Sequence, residues 1–309
     1  MKLSLIVPCY NEAEVLPIFR KAVQDVRPQL RVDELEVVFV DDGSRDATLS
    51  ILQQFNREDA SLRYVSFSRN FGKEAAIYAG LQHAAGDLVC LMDADMQDPP
   101  SLLPEMVGAC LDEGYDTVGT RRSTRSGEPP IRSFFARCFY RFINHISDTK
   151  LVDGARDYRL MRRPVVAAIL AMPEYNRFSK GIFQWVGYKT KWLEYENVER
   201  AAGETKWSFW KLLKYSFEGI ISFSTVPLAL ASFMGMLLCV IAMVTIVVLA
   251  VRHFLDPMTA VYGWTSLVCL IMFIGGVQLL CMGILGQYIA KAYLEVKKRP
   301  IYIVGGKSE

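Results

Sequence analysis

Two long segments without a charged side chain constrain the fold of this chain more than any other feature. The first covers residues 226–251 and is 26 residues long, and the second covers residues 264–290 and is 27 residues long. At about 1.5 Å per residue, a helix of either length crosses a hydrocarbon core of ~30 Å with some tilt. The sequence therefore predicts two transmembrane helices joined by a short loop.

Charged residues on either side of these segments predict their orientation. Lys211 and Lys214 precede the pair, and a basic cluster within residues 291–299 follows it. Lysine and arginine favour the cytoplasmic side of a membrane, so we expect both termini to be cytoplasmic in an inner or plasma membrane. The predicted division is an N-terminal domain over 1–200, an amphipathic interfacial region over 201–224, a helical hairpin over 225–290 and a cytoplasmic tail over 291–309.

The first 120 residues alternate between short apolar runs and amphipathic stretches. The runs that predict strands are 3–7, 35–40, 62–67, 88–92 and 116–119. The stretches that predict helices are 13–26, 46–58, 73–83 and 101–113. This alternation is typical of an α/β fold with a mostly parallel sheet and helices on both faces. Ligands of such sheets bind at the carboxyl ends of the strands, where the polar motifs of this chain fall.

Composition argues against several classes of protein. The formal net charge of +2 gives no indication of a nucleic-acid partner. None of the seven cysteines forms a CxxC pair, and the three histidines stand far apart in the sequence. Such spacings do not suggest a zinc site, and free thiols within apolar runs fit a reducing compartment.

An acidic motif, DADMQDPP at residues 93–100, follows the fourth predicted strand. In an extended backbone, Asp93, Asp95 and Gln97 would project from the same side and offer oxygen ligands to one divalent cation. A hard cation such as Mg²⁺ or Mn²⁺ accepts a few such ligands and completes its shell with phosphate oxygens and water. The alternative is that Asp98 caps the helix that follows and that the other acids are merely solvated.

A second acidic pair, Asp41 and Asp42, ends the second predicted strand in the motif VDDGS. Adjacent strand residues face opposite ways, so only one of these carboxylates easily faces a ligand from extended backbone, although the turn can relax this. Such a carboxylate could accept a hydrogen bond from a uracil imide or a ribose hydroxyl. Ser44 or Asp46 capping the next helix explains the rest of the motif.

Two further segments have a composition that suits a membrane surface. Residues 121–147 carry six arginines and one glutamate, with five aromatic residues interleaved. Residues 207–223 show polar and apolar side chains at helical spacing, which predicts an amphipathic helix. Both segments could lie in the membrane interface, but a solvated basic helix and an ordinary core-packing helix would give similar patterns.

Taken together, the motifs resemble those of a known family. Their order along the chain is VPCYNE, VDDGS, SRNFGKEAA, DADMQDPP, DYRLMRR and GETKWSFWKL, followed by the two apolar segments. This combination is similar to that of the polyisoprenyl-phosphate glycosyltransferases, which belong to glycosyltransferase family 2 and have a GT-A fold. Within that group the chain most resembles the bactoprenol glucosyltransferases, which also carry RNFGKE and an ending like KKRPIYI.

The resemblance implies roles for particular residues of this chain. The implied nucleotide-sugar positions are Pro8, Tyr10, Glu12, Asp42 and Asp93. The implied positions for magnesium or manganese are Asp93, Asp95 and Gln97, and those for the acceptor phosphate are Arg121, Arg132 and Arg137. Asp157 stands where the family has a carboxylate proposed as the catalytic base. Arg156 precedes it, whereas the family often has glycine there, and an arginine neighbour would lower the pKa of the acid.

The resemblance also implies an activity. A sugar, with glucose as the first expectation, would pass from a UDP-sugar to undecaprenyl or another polyprenyl phosphate, with inversion if displacement is direct. The product would serve the modification of cell-surface glycans such as the O-antigen of lipopolysaccharide. The rival interpretations are a processive polysaccharide synthase, whose usual QxxRW motif the chain lacks, and a non-enzymatic membrane scaffold. Small residues such as Gly275 and Gly283 leave open whether the helices pack within one chain or in a homo-oligomer.

Overall fold

The structure is a computed structural model, and it describes residues 1–122, 152, 154–195, 224, 226–255 and 263–308. The amphipathic helix predicted at 207–223 lies outside the described residues. So does nearly all of the basic and aromatic segment at 121–147, including Arg132 and Arg137.

The described residues form one sheet of eight strands. In chain order the strands are β1 (Lys2–Cys9), β2 (Glu34–Asp41), β3 (Leu62–Phe67), β4 (Leu88–Leu91), β5 (Thr117–Arg122), β6 (Ala155–Arg162), β7 (Thr190–Tyr195) and β8 (Val304–Lys307). Their spatial order is β7-β5-β6-β4-β1-β2-β3-β8. Strands β4, β1, β2 and β3 form a parallel core, and the antiparallel strands β6 and β8 flank it. Strand β5 is antiparallel to β6 and parallel to β7.

Helices cover both faces of this sheet. In chain order the helices are α1 (Leu16–Val26), α2 (Thr48–Glu58), α3 (Lys73–His83), α4 (Leu103–Leu111), α5 (Arg163–Leu170), α6 (Ser179–Trp185), α7 (Val226–Leu255) and α8 (Trp264–Val296). Helices α1, α2 and α4 pack on one face, whereas α3, α5 and α6 pack on the other. The predicted α/β class, with a mixed sheet built around parallel strands, is confirmed.

The periodicity of α1 shows how local sequence produces this packing. Leu16, Phe19 and Val23 recur at helical spacing and are all buried against the sheet. The helix begins at Leu16, three residues later than its predicted start, and Pro17 occupies its first turn, where a missing N–H has no intrahelical partner to lose.

Several elements have sequences that do not predict them. Strand β6 reads ARDYRLMR, where charged side chains interrupt the apolar alternation, and β8 reads VGGK, with two residues of poor strand propensity. Their pairing with neighbouring strands supplies the stability that local propensity lacks. Strand β4 ends at Leu91, so Met92 does not belong to it as predicted.

The C-terminal helices are longer than the apolar segments that predict them. Helix α7 has 30 residues and α8 has 33. Two spans, Val226–Thr245 and Leu270–Val296, are long and apolar enough to cross a membrane, and at most 6% of either span is buried. A core helix of a soluble protein would be mostly buried, whereas these two spans leave their apolar side chains exposed.

The end of the chain returns to the sheet. Residues 304–307, which fall in the predicted C-terminal tail, form the edge strand β8 against β3. Tyr302 stacks on Phe67 of β3 at a centroid separation of 4.8 Å and donates a hydrogen bond to Gln82 of α3 at 2.8 Å. The tail is therefore part of the folded domain.

Candidate active site

Three loops meet at the carboxyl ends of the parallel core strands. Pro8 is the second-to-last residue of β1, and Tyr10 and Glu12 follow that strand. Asp42 follows β2, and Asp93 follows β4. Because β4, β1 and β2 are adjacent and parallel, the fold brings these predicted nucleotide-sugar residues to one edge of the sheet.

Asn11 fixes the loop after β1, and it is a residue that the sequence motifs did not single out. Its backbone is left-handed, with φ of 54°. Its side-chain oxygen accepts the N–H of Arg45 at 2.9 Å, and its own N–H donates to the Ser44 hydroxyl at 3.0 Å. Asparagine adopts a left-handed backbone more readily than most residues, so its place between Tyr10 and Glu12 could have indicated a tight turn here.

Asp42 is enclosed by the N-terminus of α3. Its carboxylate accepts the backbone N–H of Phe71 at 2.6 Å and of Gly72 at 2.9 Å. Burial raises the pKa of Asp42 to about 6, although these two hydrogen bonds oppose the shift. The structure thus places Asp42 where it ties β2 to α3, and its contact with a nucleotide base stays a prediction.

Asp41 is also hydrogen-bonded within the protein. Its carboxylate accepts the N–H of Ser44 at 3.0 Å and the hydroxyl of Ser66 at 2.7 Å. Gly43 directly follows this pair of acids. Its φ is 65°, and its position leaves no room for a Cβ, because that atom would lie 2.5 Å from the Arg69 carbonyl carbon.

The acidic turn after β4 differs from the extended arrangement that its spacing suggests. Met96 has φ of 62°, and Asp95 accepts the backbone N–H of Gln97 at 3.1 Å. The alternation of side chains along a strand therefore does not apply to Asp93, Asp95 and Gln97. They share a compact turn instead.

Asp98 is not the helix cap that was proposed as its role. No side chain caps the 3₁₀ turn Pro100–Leu102 that leads into α4. Instead, Asp98 is 1% exposed and accepts the Asp93 N–H at 3.2 Å and the Tyr195 hydroxyl at 3.0 Å. The sequence interpretation missed this role because Tyr195 comes from a strand almost a hundred positions away.

Arg156, which stands where the family often has glycine, forms an ion pair with Asp98. Its Nε donates to the Asp98 carboxylate at 3.3 Å. Successive residues of β6 face opposite sides of the sheet, so Arg156 points to the α4 side whereas Asp157 points to the α3 side. The arginine therefore projects from the opposite face of the strand, but its charge still contributes, after the larger effect of Lys73, to lowering the pKa of Asp157, as the sequence predicted.

Lys73 joins the acidic turn to Asp157. Its Nζ lies 2.8 Å from the Asp93 carboxylate and 2.7 Å from the Asp157 carboxylate. Burial disfavours the charged form of Asp157, but the Lys73 ammonium outweighs burial and holds the pKa of this carboxyl well below its ordinary value. The motif RNFGKE contains Lys73, yet its spacing gave no sign that the lysine would reach one acid in the turn after β4 and another on β6.

The fit of a divalent cation to this turn depends on the ligands it offers. Within the described residues there is no group of three or more His, Cys, Asp or Glu side chains placed to hold a metal. Asp93 and Asp95 supply two hard oxygen donors in one turn. This partial set suits Mg²⁺ or Mn²⁺ completed by phosphate oxygens rather than a cage made by protein alone.

The predicted acceptor residues are only partly described. Arg121 lies in β5 and forms an ion pair with Glu194 of β7 at 2.5 Å. A further arginine, Arg159, is 2% exposed and lies between the rings of Phe183 and Trp192, each 5.1 Å from its guanidinium carbon. Burial lowers the pKa of Arg159 to about 10. The acceptor roles of Arg121, Arg132 and Arg137 stay predictions.

The sheet and its acidic edge occur within a recognised class of enzymes. The chain belongs to glycosyltransferase family 2, because the family described as "Glycosyl transferase family 2" matches residues 4–170, from β1 to the end of α5. The chain is therefore a glycosyltransferase.

Particular relatives extend the likeness to the whole chain. A prophage bactoprenol glucosyl transferase homolog of Escherichia coli (strain K12) is 43% identical over 98% of both chains. The bactoprenol glucosyl transferase of Shigella phage SfV is 42% identical over 100% of both chains. The mannosyl-3-phosphoglycerate synthase of Rubrobacter xylanophilus is 17% identical, with a TM-score of 0.49 over 71% of this chain and 72% of that one. The predicted resemblance to family 2 and to bactoprenol glucosyltransferases is confirmed.

Proposed function

We propose that this glycosyltransferase transfers a sugar from a UDP-sugar to undecaprenyl phosphate or another polyprenyl phosphate at the cytoplasmic face of a membrane. One observation carries the proposal: relatives whose names state that they glucosylate bactoprenol match nearly the full length of the chain, including its apolar helices. Glucose is accordingly the first candidate for the sugar.

The C-terminal helices give the proposal a physical basis. Their exposed apolar surface suits a lipid surrounding, and the acceptor's isoprenoid tail partitions into the same phase. Helices α7 and α8 form a hairpin, in which the Tyr288 hydroxyl donates to the Ser224 carbonyl at 2.6 Å. The beginning of α7 therefore lies beside the C-terminal part of α8, and Glu295 at the end of α8 contacts Tyr175 and Asn176 of the catalytic region. In this proposal the acceptor phosphate reaches the site from this end of the hairpin.

The charges at the site fit a reaction between two anions. A phosphate oxygen of the acceptor would attack the anomeric carbon of the sugar, and the bond to the diphosphate would break with its electron pair leaving on UDP. Direct displacement inverts the configuration at that carbon. Asp93 and Asp95, with Gln97 in the same turn, are the residues that would hold Mg²⁺ or Mn²⁺, which supplies positive charge next to a diphosphate.

Asp157 need not be a strong base in this reaction. A phosphate monoester is largely ionised near neutral pH, because its second pKa is about 6. With its pKa held low by Lys73, Asp157 is a carboxylate at the pH of the reaction. Its proposed task is mainly to orient the acceptor, because a carboxylate whose pKa is held low is a weak proton acceptor; receiving a residual proton is the alternative role.

The decisive experiment uses the full-length protein in lipid nanodiscs. Undecaprenyl phosphate and a panel of UDP-sugars are added with Mn²⁺, Mg²⁺ or EDTA, and the glycolipid is identified by mass spectrometry. We expect one hexose per lipid with UDP-glucose, little product in EDTA, and loss of activity in the Asp93→Asn, Asp95→Asn double variant. Anomeric coupling in the NMR spectrum reports the stereochemistry.

Two outcomes would contradict the proposal. A product carrying a long chain of sugars would identify a processive synthase, and absence of glycolipid with every UDP-sugar would leave this transfer without support. Full activity of the double variant in EDTA would exclude the metal-assisted site.

A further inference from the structure

We propose that Lys73 is a positioning residue, which holds Asp157 against the donor side of the site by bridging it to Asp93. This inference deepens the proposed function and rests on it for its kinetic consequences. The bridge itself is a property of the ligand-free protein and has its own test.

The bridge connects the turn after β4 to strand β6, beyond the point where the pairing of β4 with β6 ends. Asp93 belongs to the turn after β4, while Asp157 lies on the neighbouring strand β6, and both carboxylates contact the same ammonium group. Two carboxylates at such close range repel, and a shared ammonium at 2.8 and 2.7 Å converts the repulsion into two attractive contacts.

The backbone of Lys73 is fixed on both sides, so its ammonium is delivered from a rigid base. Before it, the N–H groups of Phe71 and Gly72 are held by Asp42. After it, Glu74 accepts both the N–H and the hydroxyl of Ser179, the first residue of α6. The long side chain of Lys73, with 43% of its surface exposed, is in turn held at its ammonium by the two acids.

Positioning Asp157 and binding the donor diphosphate are different roles for Lys73, and they predict different kinetic effects. If the ammonium acts through Asp157, its removal should impair turnover and leave donor affinity almost unchanged, because the donor still meets Asp93 and Asp95. If the ammonium instead contacts the diphosphate directly, its removal should weaken UDP binding in proportion to the loss of activity.

The experiment compares Lys73→Met, Lys73→Arg and the control Lys21→Met in full-length protein. Lys21 is an exposed lysine of α1, on the opposite face of the sheet. For Lys73→Met we expect kcat to fall by about 30-fold or more, while KM for the UDP-sugar and the Kd of UDP with Mn²⁺ change by less than about threefold. Lys73→Arg should recover most of kcat, because it restores a cation that can bridge two carboxylates, and Lys21→Met should match the wild type.

A double-mutant cycle with Asp157→Asn separates positioning from a general structural effect. Since Lys73 is proposed to act through Asp157, the double variant should be no slower than Asp157→Asn alone. The same four proteins are compared for their thermal midpoints without donor, metal or acceptor. There, Asp157→Asn should recover part of the stability that Lys73→Met loses, because the unpaired carboxylate has been neutralised.

Several results would overturn the inference. They are a kcat of Lys73→Met within twofold of the wild type, a loss of UDP affinity of about tenfold or more that matches the loss of activity, and additive effects in both cycles. If wild-type protein transfers no sugar at all, the proposed function fails, while the thermal cycle still decides whether Lys73 and Asp157 are coupled.

Discussion

At the scale of single residues, the surroundings of each acid at the candidate active site decide its role. Asp98 is enclosed and organises the turn through the Asp93 N–H and the Tyr195 hydroxyl. Asp157 faces the opposite side of the sheet and meets Lys73. The composition of the motif DADMQD predicted a cluster of carboxylates, but it could not tell a structural acid from one available to a ligand.

Replacement of Asp157 by asparagine tests its place in the reaction. The amide keeps the shape of the side chain but removes the negative charge that attracts Lys73 and that the proposed function requires at this position. We expect kcat to fall by about 100-fold or more, with UDP affinity within about threefold of the wild type. Steady-state kinetics and calorimetric titration with UDP measure the two quantities.

The matched control is Asp112→Asn, since Asp112 is an exposed acid that pairs with Arg31 at the surface. Its kinetics should equal those of the wild type. Normal turnover of Asp157→Asn would remove Asp157 from the mechanism.

Glu74 should make stability depend on pH. Burial raises the pKa of Glu74 to about 7 from its ordinary value of 4.5, although hydrogen bonds from Ser179 oppose the shift. Between these two values the unfolded chain releases the proton and the folded protein keeps it, so stability decreases as pH rises. At 1.36 kcal/mol per pKa unit, the loss is at most about 3 kcal/mol.

Glu74→Gln removes this titration while keeping an acceptor for the Ser179 hydroxyl. Thermal midpoints in nanodiscs at pH 5 and pH 8 should therefore differ less for Glu74→Gln than for the wild type. An identical decrease in both proteins would show that another group causes the pH dependence.

At the scale of elements, the edge strand β8 protects a strand that would otherwise be exposed. Ser68, just after β3, donates its N–H to the Ile303 carbonyl at 3.0 Å, and Tyr64 donates its N–H to the Ser308 hydroxyl at 3.0 Å. An open edge of this kind invites pairing with another chain. The residues from 300 onwards thus complete the sheet, although nothing in the sequence VGGK suggests a strand.

Deletion of residues 300–309 should expose this edge. Hydrogen–deuterium exchange at the amides of Tyr64 and Ser68 should accelerate by about tenfold or more, because their acceptors are gone. Amides of β1, in the middle of the sheet, should keep their protection and serve as the internal control. Tyr302→Phe, which keeps the stacking on Phe67 but loses the hydrogen bond to Gln82, should show a smaller effect. Unchanged exchange at both edge amides after the deletion would contradict the role of β8.

At the scale of the whole molecule, the apolar helices are attached to the catalytic region at two points. The first is strand β8, which follows α8 and pairs with β3. Glu295, in the last turn of α8, accepts the backbone N–H groups of Tyr175 and Asn176 at 3.0 and 2.9 Å. These residues lie in the connection between α5 and α6, and α6 carries Ser179, which binds Glu74. Together with β8, this contact fixes the end of α8 relative to the sheet.

The attachment predicts how the protein behaves in membranes. Washing with alkaline carbonate should leave it in the membrane pellet, because two helices that span the bilayer would bury their apolar surface in lipid. A protease-sensitive tag at the C-terminus should be cleaved in inside-out vesicles and protected in right-side-out vesicles, as the proposed cytoplasmic position of β8 requires. Release by carbonate would exclude the spans, and the reverse cleavage pattern would exclude the orientation.

The sequence by itself determined the features that depend on local patterns. Alternating apolar runs specified the parallel core from β1 to β4, uncharged length specified α7 and α8, and motif order specified the family. These features follow from burial and spacing within a few residues, which a linear sequence records directly.

Only the tertiary structure decided which groups meet. Lys73 reaches Asp157 across 84 positions of sequence, Tyr195 reaches Asp98 across 97, and Ser308 reaches Tyr64 across 244. Each contact depends on strand order and on the face from which a side chain projects. The physical reason is that hydrogen bonds and ion pairs act over a few ångströms in space, whereas the sequence gives no distance between residues that the fold brings together.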